Sequence, residues 1–516
     1  MNDTKITFKQ LEAAAQAGKL SPGAFKNIRK WLTEPYLAEY AHQVAQHISA
    51  GRWKELDDAF WTVIPFGTGG RRGRMYPIGC NAINDRTIGE SAQGLADYVK
   101  QQVNHSPLSC AIAYDTRHQS RHFAELCAEI MATAGFTVYF LDGYRSTPEL
   151  SFAVRYKKCD CGIMITGSHN PPEFNGFKVC VGKETLYGEQ IQNLRQIIES
   201  KNFVEAQGSV SFQEMIPAYQ NFILKNIRLK RKLKVIVDSG NGTAGAVAPK
   251  ILRDLGCELT ELYSEVDGRF PNHHPDPTIP ENMKDLIAKV KETGAEVGIG
   301  YDGDADRIGA VDHLGNIIWG DQLMILFSRQ ILSQHPGATI VSEVKCSQNL
   351  YDDIAKHGGR GIMWRAGHSL LKSKMKEEKA LLGGEMSGHI FFADRYFGYD
   401  DAIYASCRLL EILSQSDKRI PDLLSDVPKT FTTPEIRVDC PDDQKFELVE
   451  RVKESFRKEY PIVDVDGVRV LFPDGWGLVR ASNTQPVLVL RFEAKSPERL
   501  KEIRTRVERR VTELSR

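Results

Sequence analysis

An excess of charge of one sign, a long apolar run and a spaced cysteine framework are all missing from this 516-residue chain. The 67 Lys and Arg balance the 67 Asp and Glu. No global field would hold such a chain on a nucleic-acid backbone or an anionic membrane, so neither is expected as a partner, and any anionic ligand must be recognised locally. No stretch reaches the about 18 apolar residues of a membrane span. The opening MNDTKITFKQLEAAAQAGKL lacks the uninterrupted apolar segment of a secretory signal, so a cytoplasmic location is expected. The cysteines (80, 110, 127, 159, 161, 180, 257, 346, 407 and 440) are scattered singly. Cys159 and Cys161 stand too close together for a Cys-x-x-Cys redox or zinc pair, and reduced thiols are the expectation.

What is present fits a multidomain globular protein. Hydrophobic residues make up 41% and charged residues 26%, enough for each domain to bury a core. Before residue 60 the chain reads as helices, with Leu37, Tyr40, Ala41, Val44, Ala45 and Ile48 on one apolar stripe. A strand–helix–strand–helix–strand pattern then recurs three times. Its strands fall near 109–114, 137–141 and 161–165, near 233–238, 257–263 and 295–300, and near 338–342, 360–364 and 381–384, which argues for βαβ units with parallel strands. From about residue 431, strands near 435–440, 468–473, 477–480 and 487–493 are interleaved with helices near 442–459 and 497–514, a small α+β unit. Ser496 can cap the last helix, with Pro497 in its first position.

In each repeat the third strand runs into a polar, glycine-bearing loop: Thr166-Gly-Ser-His-Asn170, Asp302-Gly-Asp-Ala-Asp306 and Gly384-Glu-Met-Ser-Gly-His389. Ligands of open α/β sheets bind beyond the carboxyl ends of the strands, so three such loops can face one cleft. Asp302, Asp304 and Asp306 supply hard oxygen donors without His or Cys, which select Mg²⁺, Mn²⁺ or Ca²⁺ over zinc. An EF-hand is excluded because Arg307 stands at its glycine position and His313 at its terminal glutamate. Mg²⁺ commonly fills its open positions with phosphate oxygen, so a phosphate is the expected partner. Ser168 lacks the G-x-S-x-G setting of a hydrolase nucleophile and fits a phosphoryl acceptor better. Arg480-Ala-Ser-Asn-Thr484, with Arg491 farther on, offers converging donors and no acid, which suits a dianionic phosphate. Thr68-Gly-Gly-Arg-Arg-Gly73 is a second glycine-basic loop, and His273-His274 has no partner ligand at recognisable spacing.

Together, TGSHNPPEFNGFKV (166–179), DGDADR (302–307), GEMSGH (384–389) and RASNT (480–484) resemble, in order, the motifs of the α-D-phosphohexomutase superfamily, which includes phosphoglucomutases and phosphomannomutases. The resemblance runs from about residue 60 to the end. It implies an α/β protein of three similar mixed-sheet α/β domains plus a C-terminal α+β domain around one central cleft. The expected division is an N-terminal helical extension over 1–59 packed on domain 1, then domains over 60–213, 214–320, 321–430 and 431–516. It further implies that Ser168 is the phosphoserine and a metal contact, and that Asp302, Asp304 and Asp306 bind Mg²⁺. Glu385 and Ser387 would touch sugar hydroxyls, and Arg480, Ser482, Asn483, Thr484 and Arg491 the non-reacting phosphate. Arg72, His169, Lys178, Arg307, Lys345, His368 and His389 match charged site positions, with Lys178 and His389 as candidates for proton transfer.

The implied activity is interconversion of hexose 1-phosphate and hexose 6-phosphate, with glucose or mannose as the sugar. It would run through a bound hexose 1,6-bisphosphate, in a monomer or homodimer. A phosphopentomutase or phosphoglucosamine mutase of the same superfamily is the alternative. A Mg²⁺-dependent sugar phosphatase and a non-catalytic sugar-phosphate-binding regulator stand further off.

Overall fold

The computed structural model describes residues 2–66, 70–182, 184–185, 190, 193, 208–482 and 486–515. Helices Asn2–Gln16, Pro22–Thr33, Ala38–Ser49 and Trp53–Phe60 come first, and the apolar stripe read from the sequence folds inward, burying Leu37, Val44 and Ile48. Their core closes around Trp31 and Phe60 and continues onto Ile78, with Tyr76 and Cys80 packed beside it, so this helical unit is docked on the turn that follows the first strand.

The first sheet is built from β1 (Gly70–Arg74), β2 (Leu108–Tyr114), β3 (Phe136–Leu141), β4 (Cys161–Ile165), β5 (Phe174–Val181), β6 (Glu184–Thr185) and β7 (Ser209–Gln213). Its strand order is β1-β5-β4-β2-β3-β7, with β6 on β5. The second contains β8 (Lys234–Asp238), β9 (Glu258–Leu262), β10 (Val297–Tyr301), β11 (Ile308–Asp312) and β12 (Ile317–Ile318), in the order β12-β11-β10-β8-β9. The third has β13 (Thr339–Glu343), β14 (Arg360–Trp364), β15 (Leu382–Gly384) and β16 (Ile390–Phe392), in the order β14-β13-β15-β16. The repeat is therefore topological as well as sequential. In every sheet the first strand of the repeat lies between the other two, parallel to both.

One feature departs from the all-parallel pattern of the βαβ reading. After each polar loop the chain returns antiparallel beside the third strand, as β5, β11 and β16. Returns as short as Ile390–Phe392 carry too few residues for a period to stand out. Each polar loop is thus the connection of a hairpin, held at both ends by a sheet ladder.

The last sheet is antiparallel: β17 (Phe431–Thr432), β18 (Ile436–Asp439), β19 (Ile462–Val463), β20 (Val468–Phe472), β21 (Gly475–Ala481) and β22 (Val487–Ala494) are covered by helices Lys445–Arg457 and Pro497–Ser515. The Ser496 hydroxyl accepts from Arg499 N at 3.2 Å, as the cap reading expects. One hydrophobic core runs without interruption from Leu141 and Met164 through Val235 and Ile299 to Leu382 and Leu410, fusing the first three sheets. The fourth has its own core around Val452, Phe492 and Val507, and meets the third domain through a small cluster of Val344, Trp476 and Leu478. All ten cysteines are free.

Candidate active site

Ser168 sits at the first residues beyond β4, fully buried, in left-handed backbone with φ 53°. Its amide donates to Thr166 Oγ1 at 2.8 Å, and its Oγ lies 3.2 Å from His169 Nδ1 and 3.3 Å from Asp302 Oδ2. The acidic loop beyond β10 is pressed directly against it. A Cβ on Gly303 would stand 2.5 Å from the Ser168 carbonyl, so only glycine allows this approach.

Asp302, Asp304 and Asp306 are buried and bring one carboxylate oxygen each within 4.8 Å of the others. Asp302 Oδ1 accepts from the amides of Asp306 and Arg307, at 3.0 and 3.1 Å, which folds the loop round its own first carboxylate. Lys178 Nζ, from β5, donates to Asp304 Oδ2 at 2.6 Å and Asp306 Oδ2 at 2.7 Å, and Thr147 Oγ1 to Asp304 Oδ2 at 2.5 Å. Asp304 Oδ1 and Asp306 Oδ1 are buried without a hydrogen-bond donor among the described residues. Orphaned, acceptor-only oxygens beside a third carboxylate fit a hard divalent cation. Burial and the two neighbouring carboxylates push Asp302 well above the usual carboxylate range. Burial opposes ionisation of Asp306 too, but Lys178 and His389 outweigh it and hold it low. A third negative charge thus lacks a counter-charge that the protein itself supplies.

The third loop leans on the second. Ile308 N donates to Gly388 O at 3.0 Å, and Arg307 Nε donates to His389 Nε2 at 3.0 Å. His389 stacks on His368 with ring centroids 5.3 Å apart, and Nδ1 of each faces Asp400 Oδ2 at 3.4 Å, while Lys372 binds Asp400 Oδ1 at 2.8 Å. Glu385 is buried and accepts from Gly367 N at 2.9 Å, and Ser387 is half-buried in the same turn. Arg72, on β1 opposite Gly176, adds positive charge beside His169 and Lys178. Burial, reinforced by Arg307 and Arg72, pushes the His169 imidazole far below its ordinary range, so it is neutral.

The fourth domain reaches this group by polar bridges. Lys345 lies between Glu343, at 3.3 Å, and Glu435 of the last domain, at 2.9 Å. Asp466 Oδ2 accepts from Ala366 N at 3.1 Å and from Arg480 Nε at 2.9 Å, tying the turn before His368 to the start of the RASNT segment. Arg491 is buried, and among the described residues its Nε and Nη1 lack acceptors, an anion-seeking pair beside that segment. Ser482 N donates to Val487 O at 3.0 Å, while Asn483, Thr484 and the residues 67–69 of the first glycine-basic loop lie outside the described residues. His273 is taken up by Asp238 at 3.0 Å and belongs to no metal-like cluster among the described residues.

Sequence reasoning passed over several partners. Thr147 opens the helix Thr147–Tyr156 inside a Ser146/Glu149 capping box, a signature that marks a helix start and says nothing of what lies across it. Asp400, Glu435 and Asp466 sit outside any motif. Arg117, whose guanidinium reaches four carbonyls of the serine loop, follows β2 in an Asp-Thr-Arg turn. Its position after the first strand of the repeat was the available signal, since that strand ends on the same edge as β4.

Three topologically repeated α/β domains and a fourth antiparallel one thus bring a buried serine, an acidic trio and a basic collar to a common edge, which defines a phosphosugar-mutase architecture. Models of the phosphoglucomutase/phosphomannomutase family match its α/β/α domains I, II and III at residues 64–205, 213–315 and 319–431 and its C-terminal domain at 435–510. The chain belongs to the phosphoglucomutase/phosphomannomutase family. It is 50% identical over 364 residues to the phosphomannomutase/phosphoglucomutase of Pseudomonas aeruginosa, covering 70% of this chain and 79% of that one. It is 45% identical over 401 residues to a phosphoglucomutase of Neisseria gonorrhoeae, covering 77% and 87%. A crystal structure of a phosphoglucomutase/phosphomannomutase family protein from Burkholderia thailandensis superposes with a TM-score of 0.81 at 38% identity, over 87% of this chain and 97% of that one. The helices before residue 61 precede all four matched segments. No helix among the described residues is long and apolar enough to cross a membrane.

Proposed function

We propose that this chain interconverts hexose 1-phosphates and hexose 6-phosphates, using both glucose and mannose, with Ser168 as the phosphoryl carrier. The observation that carries the reading is the placement of a buried Ser168 Oγ 3.3 Å from Asp302, on the rim of a carboxylate trio with unpaired oxygens. Family membership supports the same reaction class. Asp302, Asp304, Asp306 and the Ser168 oxygen would hold Mg²⁺, which when bound neutralises charge on the transferring phosphoryl group.

The protein's own groups do the rest. Phosphorylated Ser168 gives its phosphoryl to the free hydroxyl of a sugar monophosphate: the P–Oγ bond breaks, a P–O bond to the sugar forms, and the hydroxyl proton passes to His389, because Lys178, held as an ammonium by Asp304 and Asp306, has no lone pair to accept it. The resulting hexose 1,6-bisphosphate turns over, and its other phosphoryl returns to Ser168. Arg72, Arg307, His169, Lys345 and His368 supply the surrounding charge and hydrogen-bond donors. Glu385 and Ser387 hold sugar hydroxyls, and Arg480, Ser482, Asn483, Thr484 and Arg491 clamp whichever phosphate is not reacting. Glucose and mannose differ only at C2, so a site gripping C3 and C4 through one short loop treats them alike. Ten free thiols and the absence of a membrane-crossing helix among the described residues support a cytoplasmic setting.

Intact-mass measurement before and after glucose 6-phosphate is the test: the phosphate on Ser168 should leave and return, and Ser168→Ala should abolish mutase turnover. Full activity in that variant, or net release of inorganic phosphate in place of isomerised sugar, refutes the reading. A difference in kcat/KM beyond about a thousandfold between the glucose and mannose substrates refutes the dual specificity.

A further inference from the structure

Arg117 stands outside the four motifs, yet it is the most heavily used side chain around Ser168. It is wholly buried, and all five of its N–H groups are engaged. Nε donates to Asp115 Oδ2 at 3.1 Å. Nη1 donates to Pro171 O at 2.6 Å and Phe174 O at 3.0 Å, and Nη2 to Ser168 O at 2.6 Å and Asn170 O at 2.5 Å. Four carbonyls of one tight loop thus converge on a single planar cation. Pro171 O also accepts from Phe174 N at 3.0 Å, whereas the buried Ser168 O has no hydrogen-bond donor besides the guanidinium among the described residues.

The surroundings are shaped to the same end. Asp115 holds the other side of the guanidinium and also accepts from Gly167 N at 3.3 Å, so the Arg–Asp pair grips the loop at both its amide and its carbonyl edges. Ser120 Oγ donates to Asp115 at 2.6 Å and fixes that carboxylate in turn. A Cβ on Gly167 would lie 2.7 Å from the guanidinium carbon, which explains why the serine is preceded by glycine. Phe270 of the second domain stacks 5.1 Å from the guanidinium and closes the remaining face. Ser168 itself is held at φ 53°, a conformation that a serine keeps only when its surroundings over-determine it.

We propose that Arg117 is the positioning residue of the phosphoryl-carrying loop: by collecting the carbonyls of Ser168, Asn170, Pro171 and Phe174 on one guanidinium, it fixes where Ser168 Oγ stands relative to the acidic trio and keeps water from the phosphoserine. It acts through the backbone, and its charge lies beneath the residue that carries the phosphate dianion. The inference rests on the reading of Ser168 as that carrier. A loosened loop would let a water oxygen attack phosphorus, breaking the P–Oγ bond to give the free serine hydroxyl and inorganic phosphate.

Arg117→Lys is the first variant, because an ammonium keeps the charge but cannot span four carbonyls in a plane. Gly167→Ala is the second, because it pushes the guanidinium aside while leaving it in place chemically. It carries the test if the lysine variant does not fold. In each, kcat is expected to fall about a hundredfold while KM for glucose 1-phosphate stays within about threefold, since the sugar and phosphate contacts lie on the third and fourth domains. The phosphate on the loaded enzyme, followed by intact mass in buffer without substrate, is expected to hydrolyse about tenfold faster or more, a change that a residue serving stability alone would not produce. A folded variant that loses less than about thirtyfold in kcat, or whose phosphoserine lasts as long as the wild type's, overturns the inference. Activity in Ser168→Ala would instead overturn the carrier reading on which it stands.

Discussion

Replacing Arg469 by Met sets a favourable and an unfavourable effect against each other at the joint between the third and fourth domains. Arg469 lies in β20, wholly buried, with its guanidinium 3.8 Å above the Trp476 ring. Nη1 donates to Val344 O at 2.7 Å and Cys346 O at 2.8 Å, and Nη2 to Gln348 Oε1 at 3.1 Å. Three hydrogen bonds from a charged donor contribute about 1.5–3 kcal/mol each, or about 5–9 kcal/mol together. Against this, burial pushes the Arg469 pKa from 12.5 down to about 10, so keeping the charge there costs about 3 kcal/mol at 1.36 kcal/mol per unit. Methionine retains the apolar reach over Trp476, removes the charge and leaves two backbone carbonyls without donors. The hydrogen bonds win, and the expected loss is about 2–6 kcal/mol.

That loss should fall on docking rather than on the fold of either domain, since each keeps its own core. Hydrogen–deuterium exchange is expected to quicken at 344–348 and 468–472 while the helix Pro497–Ser515 stays protected, and urea unfolding should separate into two transitions. KM for sugar phosphate should rise, because Val344 and Cys346 flank Lys345 and Arg480 rides on the displaced domain. Unchanged exchange together with a stability within about 0.5 kcal/mol of wild type would show that desolvation cancels the hydrogen bonds, and the reasoning fails.

Asp304→Asn is expected to lower kcat by about a hundredfold or more with little change in melting temperature, since it weakens cation binding while relieving acidic crowding; normal activity in excess chelator would defeat the metal reading. Asp401, which caps the helix Ala402–Leu413 and accepts from Tyr219 and Tyr396, is pushed by burial from 3.8 up to about 6. A raised pKa means that its contribution is full below pH 4 and is lost as pH rises through 6. The stability difference between wild type and Asp401→Asn should therefore shift by about 3 kcal/mol against the wild type between pH 4 and pH 7. Parallel denaturation curves at the two pH values check this, and a pH-independent difference refutes it.

What the sequence made legible was whatever has a local period or a local composition. The three repeats, the loops that end their third strands and the Ser496 cap all fall in that class. The antiparallel returns β5, β11 and β16 did not stand out by period, and only the mixed sheets implied by the resemblance anticipated them. The site divides in the same way. Ser168, Asp302, Glu385 and Arg480 stand in compact motifs whose residue types already state a chemistry. Thr147, Asp400, Glu435 and Asp466 act through a few polar contacts each, mostly to residues tens of positions or more away, and these leave no trace in neighbouring sequence. Arg117 is intermediate: its Asp-Thr-Arg turn is visible, but only the fold shows the four carbonyls it gathers.

In the proposed reaction, a carrier serine that must meet either end of one sugar bisphosphate imposes two opposed demands, which fall on parts of the structure held by different forces. Transfer needs Ser168, the acidic trio and the Arg307–His389 pair fixed relative to one another. These belong to the three domains that share one apolar core, where any displacement would expose buried surface. Turning the sugar round needs the grip on its far phosphate to loosen. The grip proposed for Arg480 and Arg491 belongs to the fourth domain, which meets the rest through a small apolar cluster, the Arg469 contacts and carboxylate bridges at Glu435, Asp466 and Glu493. These are individual polar contacts around a small apolar cluster, so opening the joint exposes less apolar surface than parting the first three domains. Arg469 adds a buried cation to that joint, holding the carbonyls on either side of Lys345.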